Sequence, residues 1–235
     1  MTTGRQTPGG GTAAESEVTD AHCHATCGAA RHFVCSPTAA DLSARDVRFL
    51  GFHPWFLDGF DIERLGAKLE ADPSAGVGEI GLDRLKSREI APFAREAFEA
   101  QLALAAELRR PVVLHGAKCW GEVVKACRPF AGRVPAFLFH GFSRSEGLLP
   151  EIAAMNGFVS VGPALLNDHA VNYREMARRL PQDMVLVESD RTAETPASAP
   201  SAADVAMCLA GLRGVPPDEL ATTLEANADR FAAGA

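Results

Sequence analysis

The residues best equipped for chemistry open with Asp20-Ala21-His22-Cys23-His24. Read as a strand, this run places His22 and His24 on one face, because side chains two apart point the same way, with Asp20 one step back on that face. A single His-x-His pair is a weak signal, since two ordinary strand histidines look the same. Four later strand-like runs each end in a further potential ligand: Glu79, His115, His140 and Asp190. Imidazoles and carboxylates gathered in a core are costly without a partner. Four imidazoles and two carboxylates suit zinc, manganese or iron, with magnesium fitting if water fills the remaining positions. Six ligands are too many for one tetrahedral ion and fit two divalent cations sharing a bridging carboxylate.

Such ligands need elements that bring them together. Strand patterns run through Asp20–His24, Arg31–Cys35, Val47–Phe52, Ala75–Ile80, Pro111–His115, Ala136–His140, Phe158–Val161 and Met184–Glu188. Between them, apolar residues recur at three- and four-residue steps. Asp61 caps a helix carrying Ile62, Leu65 and Leu69, and Pro92 opens a long helix through Arg109. Helices are also expected over Thr38–Asp46, Trp120–Arg128, Ser145–Met155, Asp168–Leu180, Ala202–Leu212 and Pro217–Ala233. Eight strands alternating with helices, with no break in composition, predict an α/β fold: a TIM-like (β/α) barrel in one domain, residues 18–235. The carboxyl ends of its strands converge on one rim, where all six candidate ligands lie. A doubly wound open sheet would want a Gly-x-Gly-x-x-Gly loop after the first strand, and none is present.

The barrel is expected to lack its first helix. Seven residues, Ala25 to Arg31, separate the first two strands, fewer than a parallel crossover with a helix needs. The C-terminal helix around Leu220–Phe231 is expected to cover that flank. Met1 to Glu17 is rich in Gly, Thr, Ala and Ser and is expected to be a disordered tail.

The motifs carry a resemblance. Asp20-Ala21-His22-Cys23-His24, Gly51-Phe52-His53-Pro54-Trp55, Gly78-Glu79-Ile80-Gly81-Leu82-Asp83, Leu114-His115, His140-Gly141-Phe142-Ser143, Glu188-Ser189-Asp190 and Asn227-Ala228-Asp229-Arg230-Phe231 follow the order of the TatD-like metal-dependent hydrolases. The resemblance implies one cation held by His22, His24, Glu79 and Asp190, and another by Glu79, His115 and His140. It also implies hydrolysis of a phosphodiester, with deoxyribonucleases of exonuclease type among characterised members. Glu79 would be the bridge, and two ions about 3.5 to 4 Å apart would lower the pKa of a water towards 7. Asp190 would take its proton, and Asp20 would orient a ligand. This chain departs from the family where Ala117-Lys118 replaces an arginine after the fifth-strand histidine, where Arg84 follows Gly-Leu-Asp, and where Arg191-Thr192 follows Asp190.

Other residues sit near strand ends without so clear a role. His53, Lys118 and Arg191 are taken as substrate contacts, with Arg84 and Arg144 as further cations for an anionic ligand. Trp55 and Phe56 read as a wall for a ring or as hydrophobic cover, whereas His32 and His169 read as surface or capping residues.

Composition narrows the partners. A formal charge of -7 argues against gripping nucleic acid by bulk charge, and leaves room for an enzyme that meets phosphate locally through metals. No apolar run approaches the roughly 18 residues of a membrane span, and the first residues lack a secretory core, so a cytoplasmic protein is expected. Cys23, Cys27, Cys35, Cys119, Cys127 and Cys208 form no zinc-knuckle spacing and read as reduced residues. No obligate protein partner is evident. A DNA-directed phosphodiesterase leads, followed by a small-molecule amidohydrolase and a non-catalytic adaptor on the same scaffold.

Overall fold

The computed structural model describes residues 18–36, 38, 42–86 and 88–233. Eight strands, β1 (Thr19–Cys23), β2 (Arg31–Cys35), β3 (Val47–Leu50), β4 (Gly76–Asp83), β5 (Val112–Ala117), β6 (Phe137–Phe139), β7 (Gly157–Val161) and β8 (Val185–Val187), pair in parallel in sequence order. Around them lie α1 (Ile62–Ala71), α2 (Pro92–Leu108), α3 (Trp120–Cys127), α4 (Leu149–Ala154), α5 (Val171–Arg179), α6 (Ala202–Arg213) and α7 (Pro217–Ala232). The barrel is nearly closed. Where β8 meets β1, the Asp190 N–H donates to the His22 carbonyl at 3.0 Å, and the His24 and Ala25 N–H groups donate to the Arg191 carbonyl at 2.7 and 3.1 Å. Among the described residues no helix is long and apolar enough to cross a membrane.

The interior is built in two levels by strand alternation. Val113, Leu138 and Leu186 join Ala21, Phe33, Phe49, Phe158 and Phe231 in one buried apolar cluster. Two residues further along the same strands stand His115, His140 and Glu188, so apolar packing lies beneath polar groups on one inward face. Gly76 makes the fit possible: a Cβ there would stand 2.2 Å from the Phe49 ring.

Two strands break their alternation, both next to candidate ligands. Register shifts fall between Asp20 and Cys23 in β1 and between Val77 and Ile80 in β4. An extra residue of this kind re-aims the side chains that follow it. Asp20 therefore lies in register with His32 while Ala21 joins Phe33 in the interior, so the expectation that Asp20 shares a face with His22 and His24 is corrected.

The connection from β1 to β2 holds no helix, and α7 occupies the flank. The Glu225 carboxylate accepts from Thr19 Oγ1 at 2.9 Å, and Asp229 pairs with Arg31 at 2.6 Å. Asn227 donates to the carbonyls of Gln182 and Val185 at 2.9 and 2.8 Å. Phe231 enters the barrel floor, its ring centroid 5.4 Å from Phe33, 5.7 Å from Phe49 and 5.9 Å from Phe158.

Other boundaries moved for local reasons. β3 stops at Leu50 because the Phe52 N–H donates to the Gln101 side chain at 2.7 Å instead of a neighbouring strand. The expected helix over Ser145–Met155 divides at Leu148 into a tight turn and α4, whose first turn contains Pro150, a residue with no N–H to continue the earlier turn. The helix expected from Asp168 begins at Val171, since the Asn167 side chain and carbonyl accept from the His169 and Ala170 N–H groups at 3.0 and 2.9 Å. The helix expected over Thr38–Asp46 lies partly outside the described residues, and its described end is a turn from Ser43 to Asp46. The tail expected over residues 1–17 also lies outside them.

Candidate metal centre

Glu79, 5% exposed, is the hub of the rim. Its two carboxylate oxygens face different groups. Oε2 lies 3.6 Å from His22 Nε2 and 3.4 Å from His24 Nε2, and the same two nitrogens stand 3.5 and 3.7 Å from Asp190 Oδ1. Oε1 lies 2.6 Å from both His115 Nδ1 and His140 Nε2, and 3.5 Å from His53 Nε2. All six residues expected as ligands thus meet around one carboxylate.

The donor set fits divalent cations. His22 is fully buried, yet neither ring nitrogen has a hydrogen-bond partner, and buried His140 Nδ1 has none either. Leaving such nitrogens unpaired costs free energy, and a cation would satisfy His22 Nε2, which faces Glu79 and Asp190. Atoms of His22, His24 and Glu79 gather within 4.8 Å of one another, as do those of His22, His140 and Asp190 and those of His53, Glu79 and His115. The last group brings His53 closer to the centre than a substrate contact alone requires.

The electrostatics favour anionic carboxylates here. Burial opposes the charge on Glu79, but His140 and His22 outweigh it and hold the carboxyl well below its usual range. Burial likewise opposes the charge of Asp190, and His22 again brings it down. Asp190 takes a left-handed φ of 49°, a costly conformation for a residue with a Cβ and one concentrated at functional sites. Burial presses His53 down to about 4, so it is neutral near pH 7. The Trp55 N–H donates to His53 Nδ1 at 3.1 Å, which leaves the proton on Nε2, facing the centre.

Groups behind these side chains fix their orientation. His24 Nδ1 meets the Cys35 carbonyl at 2.8 Å, and His115 Nε2 meets Asp83 Oδ2 at 2.9 Å. Glu188, itself held by the Ser160 hydroxyl, stands 3.6 Å from His140 Nδ1. Sequence reasoning gave Asp83, Glu188 and Ser160 no role. The signal for the first two was a carboxylate at the end of a strand beside a histidine strand. Asp20 accepts from the Ser189 N–H at 2.9 Å and from its hydroxyl at 2.5 Å, so it positions the turn carrying Asp190 and not a histidine. Burial pushes the Asp20 carboxyl up, against the pull of those two bonds. Asp83→Asn is expected to weaken cation binding about 10- to 100-fold, the usual cost of losing the partner of a ligating imidazole. Calorimetric titration of the stripped protein with zinc or manganese would show it, and unchanged affinity would remove Asp83 from this role.

Two recesses flank Glu79. One, about 590 Å³, includes His24, His53, Trp55 and Phe56. The other, about 850 Å³, includes His115, His140 and Asp190 with Arg84, Lys118 and Arg144. Lys118 is therefore on the rim as expected. Arg191 is not: it is 8% exposed, and its guanidinium donates to the carbonyls of Pro196 and Ala199, both at 2.9 Å. Its charge organises the loop between β8 and α6, which corrects its placement as a substrate contact. His32 is likewise buried, its Nδ1 2.9 Å from Asp46, instead of lying on the surface.

Comparison with known proteins places the chain among its relatives. The chain is 26% identical over 152 residues to the uncharacterized metal-dependent hydrolase YabD of Bacillus subtilis, an alignment covering 63% of this chain and 59% of YabD. It is 28% identical over 131 residues to the 3'-5' ssDNA/RNA exonuclease TatD of Edwardsiella piscicida, covering 55% of this chain and 49% of that protein. The matches thus span about half the length of these relatives. The crystal structure of YjjV, a TatD homologue from Escherichia coli, superposes with a TM-score of 0.77 over 92% of this chain and 98% of that one, at 22% identity. The sequence model described as TatD related DNase matches residues 37–233, and the chain belongs to that family.

Proposed function

We propose that the protein is a dinuclear metal-dependent phosphodiesterase acting on DNA. The observation that carries this reading is the division of the Glu79 carboxylate, Oε2 towards His22 and His24, whose Nε2 atoms also face Asp190, and Oε1 towards His115 and His140. In this reading the first group would hold one divalent cation and the second another, with Glu79 shared. When bound, the ions would supply acidity to a water and neutralise phosphate charge. Asp190, ionised and with a half-exposed side chain, is placed to accept the proton of the attacking water. His53 Nε2–H is placed to donate to a phosphate oxygen. Lys118 and Arg144, exposed beside the centre, favour a phosphodiester over a neutral amide. The exonuclease names of the TatD relatives support the same substrate class.

The test is the protein reconstituted with zinc, manganese or magnesium and offered single-stranded DNA, duplex DNA, a simple phosphodiester and an amide panel. Metal-dependent cleavage of DNA is expected, and hydrolysis confined to amides would overturn the proposal. Activity is expected to rise from pH 5 and level off near neutrality. Imidazoles ordinarily titrate near 6.5, and in the protonated form they cannot hold a cation, so acid removes metal and activity together. A rate unchanged from pH 5 to 8 at saturating metal would contradict it.

A further inference from the structure

We infer that the recess between the β3–α1 connection and the β1–β2 rim is a nucleobase site, which receives the terminal base of a single strand while the scissile phosphate lies at Glu79. This rests on the phosphodiesterase reading above and assigns it a binding mode. The recess has Glu79 and His24 at one end, and its walls include Leu50, Phe52 and Leu65. Trp55 and Phe56 line it while remaining 43% and 68% exposed, high for large aromatic residues, with the Lys86 ammonium 5.5 and 6.0 Å from their ring centroids. Its volume of about 590 Å³ suits one small ligand.

The occupant follows from what surrounds the recess. A mainly apolar chamber that also includes Arg64 and Lys68 and ends at a candidate cation-binding carboxylate suits a flat, weakly polar ring joined by a short link to an anion. A nucleotide has that form: its base can stack on aromatic side chains whatever its sequence, and its phosphate can lie at the centre. On the other side of Glu79, the groove with Arg84, Lys118 and Arg144 gives later phosphates a cationic track. Arg84 is shared with Glu122, whereas Lys118 and Arg144 project from left-handed backbone positions at φ of 57° and 56°. A base still paired in a duplex could not enter the chamber without leaving its stack, so the same geometry selects single strands or frayed ends.

The test is an equilibrium measurement on the metal-loaded protein, independent of turnover. Deoxyadenosine monophosphate is titrated while tryptophan fluorescence is followed. Trp120, only 5% exposed, supplies the unchanged background, and Trp55→Phe identifies the responding residue. Wild-type protein is expected to bind deoxyadenosine monophosphate roughly 5- to 150-fold more tightly than deoxyribose 5-phosphate, the range that stacking one base spans. Competition against a labelled nucleotide would measure the sugar phosphate, and both ligands in the variants that lack Trp55. That preference should fall in Phe56→Ala, a change at an exposed position compatible with folding, and vanish in the Trp55→Ala/Phe56→Ala double variant. Equal binding of the two ligands by wild type, or a preference surviving in the double variant, would overturn the base site. Base-selective binding without cleavage of any oligonucleotide would leave the site standing and remove the phosphodiesterase reading instead.

Discussion

Glu79→Ala is expected to reduce hydrolysis by roughly a thousandfold or more and to weaken both cation sites together. Each ion in a two-ion reaction stabilises transition-state charge by several kcal/mol, and about 1.4 kcal/mol corresponds to a factor of ten in rate. In the proposed two-ion centre, loss of either ion would exceed most single-residue effects, and among the described residues Glu79 is the side chain whose oxygens face both ligand groups. The substitution also leaves His115 and His140 without the carboxylate they now contact at 2.6 Å, so their rings lose orientation as well as charge. Metal analysis after gel filtration, with steady-state rates on the same sample, checks both halves. Two retained equivalents and near-wild-type turnover would refute the shared carboxylate.

The largest effect on stability is expected at Phe231→Ala, about 3 to 5 kcal/mol, the range for truncating a buried aromatic residue whose surroundings cannot collapse. The site is rigid on all sides: Phe33, Phe49 and Phe158 belong to three different strands and ring the side chain. That loss is a large share of the roughly 5 to 15 kcal/mol by which domains are stable. Urea unfolding followed by circular dichroism measures it, and Phe231→Leu should retain much more stability by keeping most of the volume. A loss below about 1 kcal/mol for alanine would mean that α7 does not plug the barrel floor.

Much of this could be read from the chain because periodicity and function agree. The repeat of His115 and His140 two residues beyond Val113 and Leu138 is a plain alternating strand, and both histidines lie where that rule puts them. The shortness of Ala25–Arg31 likewise foretold the missing helix, since no packing can add length to a connection. Reading by alternation failed at Asp20, because the register shift in β1 is created by pairing with β2 and leaves no mark in the local sequence. Arg191 misled for a different reason: position along the chain brought it to the rim, but its direction is set by carbonyls at Pro196 and Ala199. Asp83 and Glu188 were visible as residues and silent as partners, since which nitrogen a carboxylate faces is settled only by the ring it meets.

The seam between the first and last strands has a consequence for assembly. Its fastening, the pair Asp20 and Ser189, joins positions 169 residues apart, and the candidate ligands stand on both lips, His22 and His24 on one and Asp190 on the other. A cation held there would also be a clasp, because it could not be fully coordinated until the two ends of the sheet had met. Ring closure and completion of the centre would then be a single event, and part of the cation's affinity would be the work of keeping the bracelet shut. By mass action the metal stabilises the closed ring in proportion to the logarithm of its concentration. Stripping the metal should therefore loosen the first and last strands before the middle of the sheet, a gradient that hydrogen exchange along β1 and β8 would trace.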